Sequence, residues 1–147
     1  RMSDAVVDTA LRFEPVAFEA GRQLSYDIDE GITVTGSRDQ LQQVAGVLLD
    51  NAIKYASQGA GVYMTLTQAE RKAVLTVENG GPPIPPEVLP HLFDRFYRAD
   101  GSRTQGGFGL GLSIAQAIVR EHKGTIRCES DRRSTRFIVT LPAGGKK

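Results

Sequence analysis

Two helix-plus-hairpin patterns are the feature that most constrains the fold of this chain. Apolar residues recur at steps of three and four from Ser37 to about Ser57, which predicts an amphipathic helix of roughly five turns. Residues 62–77 then alternate about a polar turn, which predicts a β-hairpin. A second helix over 110–122 and a second hairpin over 125–141 follow in the same order. We therefore expect an α+β fold, a two-layer α/β sandwich in which helices cover one face of a mixed, mainly antiparallel sheet.

The first 35 residues carry weaker patterns. Apolar spacing over 3–20 predicts a helix that is interrupted near Pro15 and stopped at Gly21. Alternation with β-branched residues over 24–29 and again over 32–35 predicts two short strands.

Composition places the chain among globular domains without a charge bias. Its 147 residues carry a net charge of +1, and 40% of them are hydrophobic, which fits one domain. This balance gives no reason to expect nucleic acid or an anionic membrane as the main partner. The single cysteine, Cys128, excludes an internal disulfide and is interpreted as a buried small apolar residue. No apolar run is long enough to cross a membrane.

A glycine-rich turn runs directly into the second predicted helix. It reads Gly107-Phe108-Gly109-Leu110-Gly111-Leu112. Glycines let the backbone approach an anion closely, and the amino end of a helix carries about half a positive charge, so a phosphate is a natural ligand. A hinge with tight helix packing explains the same residues. The turn is neither the GxGxxG dinucleotide fingerprint nor a Walker loop.

Three polar side chains share one face of the first long helix. Asn51, Lys54 and Tyr55 are spaced at i, i+3 and i+4. They offer an amide oxygen for a hydrated cation, an ammonium for a phosphate, and a phenol. A solvated surface asparagine is the alternative for Asn51. Asp50 lies about 100° round the helix and is interpreted as a surface charge.

A third segment completes an ordered set of motifs. Val77–Ile84 is a loop rich in glycine and proline that follows a strand, and residues 92–98 read Leu-Phe-Asp-Arg-Phe-Tyr-Arg. Together with Asn51 and the glycine-rich turn, this order resembles the ATP-binding catalytic domain of sensor histidine kinases. These kinases belong to a larger group that also holds gyrase, the Hsp90 chaperone and the mismatch-repair ATPases. The resemblance spans 37–141 and implies a Bergerat-type ATP-binding fold.

The resemblance implies a role for each matching residue. Asn51 would coordinate the Mg²⁺ that bridges the ATP phosphates, and Asn79 would accept a hydrogen bond from the adenine amino group. Phe93 and Phe96 would pack beneath a mobile ATP lid over 98–107. The implied ATP-contacting positions are Asn51, Lys54, Tyr55, Asn79, Gly81, Ile84, Phe93, Phe96, Arg98, Gly107, Phe108, Gly109, Leu110, Gly111 and Leu112, of which Asn51 and Lys54 are also the implied catalytic residues.

Three positions depart from the family pattern. Asn79 stands where the family has the adenine-reading aspartate, and Pro83 stands where it has a second glycine. An asparagine oxygen still accepts the bond, although losing the charge weakens it by about 1 kcal/mol. Val47 replaces another asparagine, so the Mg²⁺ site depends more on Asn51, water and the phosphates. We therefore expect weak ATP binding.

The phosphate acceptor of the family is not recognisable here. Sensor kinases transfer the γ-phosphate to a histidine on a separate dimerisation domain, and neither His91 nor His122 lies in the matching context. We expect residues 1–20 to be a connector from that domain, 21–142 the ATP-binding domain and 143–147 a flexible tail. The resemblance further implies a response regulator partner, a monomeric fragment of a homodimeric protein, and a cytoplasmic location below a membrane-anchored bacterial receptor.

Two alternatives remain from the residues. One is a degenerate nucleotide-binding module, or pseudokinase. The other is an anti-sigma-factor-type serine kinase of the same fold, which needs no separate histidine domain. A chaperone or topoisomerase ATPase is disfavoured, because those enzymes activate water with a glutamate at the position of Val47.

Overall fold

Three helices and five strands make up the part of the chain that the structure describes. The computed structural model describes residues 2–56, 61–81, 93, 111–131 and 134–143. In chain order the elements are α1 (Met2–Glu19), β1 (Gln23–Ile28), α2 (Arg38–Tyr55), β2 (Gly61–Ala69), β3 (Lys72–Asn79), α3 (Gly111–Glu121), β4 (Thr125–Ser130) and β5 (Thr135–Pro142).

The strands form one sheet in the order β1-β2-β3-β5-β4. Strands β1 and β2 are parallel, and the other three pairs are antiparallel. Alternate residues of the three central strands are buried, as expected for a sheet with one covered face. The prediction of a mixed, mainly antiparallel sheet under a helical layer is confirmed. The buried apolar strand residues share one core with the helices: Val62, Met64, Leu66, Ala73, Leu75, Val77, Phe137, Val139 and Leu141.

The central helix α2 forms where its periodicity predicts. The hydroxyl of Ser37 caps it by accepting a hydrogen bond from the N–H of Gln40 at 3.2 Å. The apolar residues of its predicted stripe face the core, and all are buried: Leu41, Val44, Leu48 and Ala52. This stripe holds α2 against β2 and β3, which fixes the polar residues near its carboxyl end.

The expected interruption of α1 at Pro15 is wrong. The helix runs through Pro15, which lies on an exposed side, while the opposite side packs on α2. Burial of that side holds the helix together despite the missing donor. The stop at Gly21 is confirmed: Gly21 has φ +77°, and the N–H of Arg22 bonds to the carbonyl of Ala17 at 2.9 Å. Although α1 shares the core, its role as a connector stays a prediction.

The second short strand, over 32–35, is absent. Instead, the carbonyl of Ile32 accepts hydrogen bonds from the N–H groups of Met2 and Ser3, at 2.9 and 3.2 Å. The N–H of Ile32 donates to the Ser3 hydroxyl at 2.9 Å. The backbone of this segment therefore pairs with the amino end of α1 instead of with another strand. The alternation of four residues carries no information about a partner so far away in the chain.

The left-handed residue that ends α3 is not a glycine. Lys123, with φ +66°, adopts the left-handed conformation, and the N–H of Gly124 bonds to the carbonyl of Val119 at 2.9 Å. A glycine is required at 124 for another reason, because a β-carbon there would overlap the carbonyl oxygen of Thr140. This close approach joins the end of α3 to β5.

Both predicted hairpins are confirmed, with strands longer than the alternation indicated. Cys128 on β4 pairs with Phe137 and packs partly buried against the core; this burial raises the pKa of its thiol to about 12. Within the described ranges, no helix is both long and apolar enough to cross a membrane. The predicted lid and residues 144–147 of the predicted tail lie outside the described residues.

Candidate functional site

Asn51 is a buried polar side chain near the carboxyl end of α2. It is 2% exposed, and its neighbours Leu48 and Ala52 are buried in the core. Within the described part of the chain, neither its Nδ2 nor its Oδ1 atom has a hydrogen-bond partner. An unpaired buried amide costs about 1–3 kcal/mol, which makes Asn51 a candidate for contact with a ligand. The solvated alternative for Asn51 is wrong.

The amino end of α3 lies beside the same turn of α2. A β-carbon on Gly111 would lie 3.4 Å from Cγ1 of Val47, so the two helices touch there. Asn51 follows Val47 by one helical turn on the same face. The first N–H groups of α3 have no partner inside the helix, and they carry partial positive charge. A buried amide and a helix amino end thus meet at one place, which suits an anionic ligand with a cation.

Leu112, in the first turn of α3, is fully buried. Its side chain therefore belongs to the core, and only its backbone remains for contact with a ligand. This agrees with the implied use of backbone amides in the glycine-rich turn.

Lys54 and Tyr55 are the last residues of α2. The Nζ atom of Lys54 lies 3.1 Å from Oδ2 of Asp50, and both side chains are partly exposed. The interpretation of Asp50 as a surface charge is confirmed. Such exposed pairs contribute little to stability, so Lys54 is free to exchange Asp50 for a phosphate. Contacts of Lys54 and Tyr55 with a nucleotide stay predictions.

Asn79 is the last residue of β3, the middle strand of the sheet. It is 4% exposed, and its Nδ2 atom donates to the carbonyl of Gly80 at 3.2 Å. That bond fixes the orientation of the amide group, and the amide oxygen remains available to accept a hydrogen bond from a ligand. Gly81 follows with φ +151°, a backbone conformation that favours glycine. Asn79 and Gly81 are thus placed together at one end of the sheet.

Thr135 is a buried hydroxyl residue that the sequence reasoning missed. It pairs with Asn79 across β3 and β5 and is 5% exposed. Its Oγ1 atom lies 2.8 Å from the hydroxyl oxygen of Ser130 on β4. The signal that could have identified Thr135 is the register between β3 and β5, which pairs it with Asn79. That register depends on strands far apart in the chain.

An ionic cluster lies behind this pair, on the other face of the sheet. The Ser134 hydroxyl donates to Glu78 at 2.6 Å and accepts from Arg136 at 2.7 Å. Arg136 is also within 3.3 Å of Asp131 and 3.6 Å of Glu129. These contacts hold the ends of three strands in place around Asn79.

Phe93 packs on the core. Its ring centroid lies 6.2 Å from that of Phe137, edge to face at 88°, which supports packing rather than ligand contact. The remaining implied positions lie outside the described residues: Ile84, Phe96, Arg98, Gly107, Phe108, Gly109 and Leu110.

The donor set limits which metal ion fits. Among the described residues, no group of three histidine, cysteine, aspartate or glutamate side chains is placed to hold one. A cation near Asn51 would therefore depend on one amide oxygen, water and ligand oxygens. Mg²⁺ suits that set, because it prefers oxygen and keeps several waters.

Comparison with known protein sequences gives one matching family and relatives that are sensor kinases. The profile of the HATPase_c family, described as histidine kinase-, DNA gyrase B- and HSP90-like ATPase, matches residues 36–145. The chain is 38% identical over 139 residues to the sensor protein DltS of Streptococcus agalactiae serotype V, covering 94% of this chain and 35% of that protein. It is 41% identical over 133 residues to the sensor histidine kinase CusS of Escherichia coli K12, covering 89% of this chain and 28% of CusS. The chain thus spans about a third of these relatives.

Solved structures with the same architecture include two histidine kinases. The mycobacterial sensor histidine kinase MprB superposes with a TM-score of 0.86 at 26% identity, covering 99% of this chain and 97% of that one. The catalytic domain of histidine kinase ThkA superposes with a TM-score of 0.83 at 27% identity, covering 95% and 90%. ThkA in complex with the response regulator protein TrrA matches with a TM-score of 0.79 at 26% identity, covering 95% and 39%.

Proposed function

Because the chain belongs to the histidine kinase-, DNA gyrase B- and HSP90-like ATPases and has the fold of a sensor-kinase catalytic domain, we propose that it binds Mg-ATP and donates the γ-phosphate to a histidine on a separate dimerisation domain. The observation that carries this proposal is the buried amide of Asn51, whose two polar atoms have no hydrogen-bond partner among the residues that the structure describes. A side chain that lowers stability in the free protein is best explained by the ligand that completes it.

The phosphate end of the nucleotide is assigned to Asn51 and the start of α3. The Asn51 oxygen would hold Mg²⁺, which would neutralise the phosphate oxygens when bound. The N–H groups of α3 after Gly111 would face the anionic phosphates. Lys54 would supply a further positive charge once it leaves Asp50.

The base end is assigned to Asn79 and Thr135. Both are buried and paired across adjacent strands, so their polar atoms are held in place before a ligand arrives. The Asn79 oxygen would accept a bond from the adenine amino group, and the Thr135 hydroxyl would serve a neighbouring position of the base. Fixed polar groups of this kind give selectivity rather than a large gain in affinity.

Transfer is favoured over hydrolysis by the residue at 47. Phosphoryl transfer depends mainly on positioning and charge stabilisation. Val47 has no carboxylate to activate water, and its side chain packs at Gly111. We therefore expect slow ATP hydrolysis, and fast hydrolysis would contradict this assignment.

The partners follow from the relatives and remain proposals, because the chain spans about a third of their length. ThkA was solved in complex with a response regulator. We propose the same class of partner here, together with a dimerisation domain joined through α1, homodimerisation of the longer protein, and a cytoplasmic position.

Calorimetric titration of the chain with Mg-ATP tests the proposal. We expect weak binding, with a dissociation constant above tens of micromolar, that disappears in Asn51→Ala. The matched control is Gln43→Ala, an exposed residue of the same helix, which should bind as the unchanged protein does. Absence of binding by the unchanged protein at millimolar Mg-ATP would contradict the proposal.

One alternative has an observation in its favour. Val47 and Asn79 both depart from the family pattern, and Val47 packs against α3 instead of offering a polar atom. A degenerate nucleotide-binding module would bind Mg-ATP in the same titration, yet would transfer no phosphate to a dimerisation domain supplied separately.

A further inference from the structure

His122 joins the end of α3 to the start of α2. Its Nε2 atom accepts a hydrogen bond from the N–H of Ser37, the capping residue of α2, at 3.2 Å. Its Nδ1 atom lies 2.8 Å from the carbonyl oxygen of Ile118. A carbonyl only accepts, so Nδ1 carries the proton and Nε2 is the acceptor. The neutral ring therefore bonds to both helices at once.

The glycine at position 36 leaves space for the imidazole ring of His122. A β-carbon on Gly36 would overlap the imidazole of His122, so any other residue at 36 would displace it. The backbone of residues 36–37 thus approaches the ring from the α2 side. This fit favours a specific contact over a solvated histidine at the end of a helix.

The His122 contact lies at the carboxyl end of α3, where it meets the start of α2. The contact of Val47 with Gly111 lies at the opposite end of α3. Ser37 and Val47 are separated by about 15 Å of helix, and Gly111 and His122 by a similar length, so α3 lies antiparallel to the first half of α2. Asn51 lies one turn beyond the Val47 contact. A shift of α3 along α2 would therefore move its amino end relative to Asn51.

We propose that His122 is a positioning residue for the nucleotide site: its bond to Ser37 sets the position of α3 along α2, and so the distance between the amino end of α3 and Asn51. This inference rests on the proposed function for its effect on ATP. The bond across the two helices carries the role, whereas the bond to Ile118 is internal to the end of α3.

Two substitutions of His122 test its hydrogen bonds to Ser37 and Ile118 separately. In His122→Gln, the side-chain oxygen reaches the place of Nε2 and can accept from Ser37. In His122→Asn, the shorter amide reaches only the place of Nδ1 and keeps the bond to Ile118. We expect His122→Gln to bind Mg-ATP nearly as the unchanged protein does and His122→Asn to bind about five-fold more weakly. Leu24→Ala, on the opposite edge strand, is the control for lost stability. It should lower the thermal midpoint without weakening ATP binding.

A second pair of variants reaches the same contact from α2. Gly36→Ala should weaken Mg-ATP binding about five-fold, because its β-carbon displaces the ring. In a His122→Ala background, the same change should have almost no further effect. Gly46→Ala is the matched control, since its β-carbon would meet the Phe13 ring at an ordinary 3.5 Å.

The position of α3 can also be measured without nucleotide. The nuclear Overhauser effect between a Val47 methyl group and the α-protons of Gly111 should persist in His122→Gln and weaken in His122→Asn. Unchanged Overhauser effects in all variants would overturn the proposal, even if the unchanged protein bound no ATP. Equal ATP affinity in His122→Gln and His122→Asn would also overturn it. Loss of binding in Asn51→Ala alone would then still support the proposed function.

Discussion

Asn79 and Thr135 face each other across β3 and β5, and both are buried on the side of the sheet that the helices cover. Two buried polar residues in one register position form a fixed polar surface at the end of the sheet. Neither residue is charged. A single substitution to a charged residue would therefore change how strongly this surface binds a ligand.

Asn79→Asp should tighten Mg-ATP binding several-fold. A carboxylate accepts a stronger hydrogen bond from the adenine amino group than an amide oxygen does. The change should also lower stability, because a buried charge replaces an amide that bonds to Gly80. Calorimetry would measure both affinities, with the exposed Glu70→Asp as control. Unchanged or weaker binding would argue against the contact of Asn79 with the base.

Asn51→Ala should raise the free energy of unfolding by about 1 kcal/mol while abolishing nucleotide binding. The substitution removes a buried amide whose two polar atoms lack partners among the described residues. Asn79→Ala is the contrasting control: its amide is bonded to Gly80, so its loss should destabilise. Urea denaturation would measure the free energy of unfolding of both variants. A large loss of stability in Asn51→Ala would contradict a ligand role.

Gly124→Ala should destabilise the protein by about 2 kcal/mol. The added β-carbon would overlap the carbonyl oxygen of Thr140, and backbone cannot move aside cheaply. Gly61→Ala is the matched control, since its β-carbon would lie 3.6 Å from the carbonyl oxygen of Gln23. Thermal unfolding of the two variants should differ clearly; equal midpoints would show that the end of α3 adjusts.

Cys128 should react slowly with iodoacetamide in the folded protein. Its burial raises the thiol pKa from an ordinary value of 9.0 to about 12, so almost no thiolate is present at pH 8. This protonated thiol stabilises the fold fully below about pH 9, and that stabilisation is lost as the pH rises from 9 towards 12. Labelling should become fast in urea, whereas fast labelling of the folded protein would contradict the burial. Cys128→Ser should leave nucleotide binding unchanged.

Periodicity predicted α2, α3 and both hairpins, because burial of one face imposes a regular spacing on the sequence. It failed at 32–35, where the backbone bonds to the distant amino end of α1, and at Pro15, where packing of the other face keeps α1 continuous. Such tertiary contacts leave no local pattern. The motifs identified Asn51 and Asn79 as candidates.

The burial of Asn51, the pairing of Asn79 with Thr135 and the bridging role of His122 all depend on contacts between segments far apart in the chain. For that reason the sequence left Asn51 between a solvated and a ligand-binding role, and it gave no reason to single out Thr135. His122 lacks the sequence context of the family's acceptor histidine, and its bond to Ser37 gives it a structural role.

The strand order has a consequence for synthesis of the chain. Strand β3 pairs on one side with its neighbour β2 but on the other with β5, which leaves the ribosome last among the strands. At a few to about twenty residues per second, the edge of β3 stays unpaired for seconds while the rest of the domain is made. During that interval the nascent hairpin is open to pairing with strands of other chains, and chaperone binding would protect it.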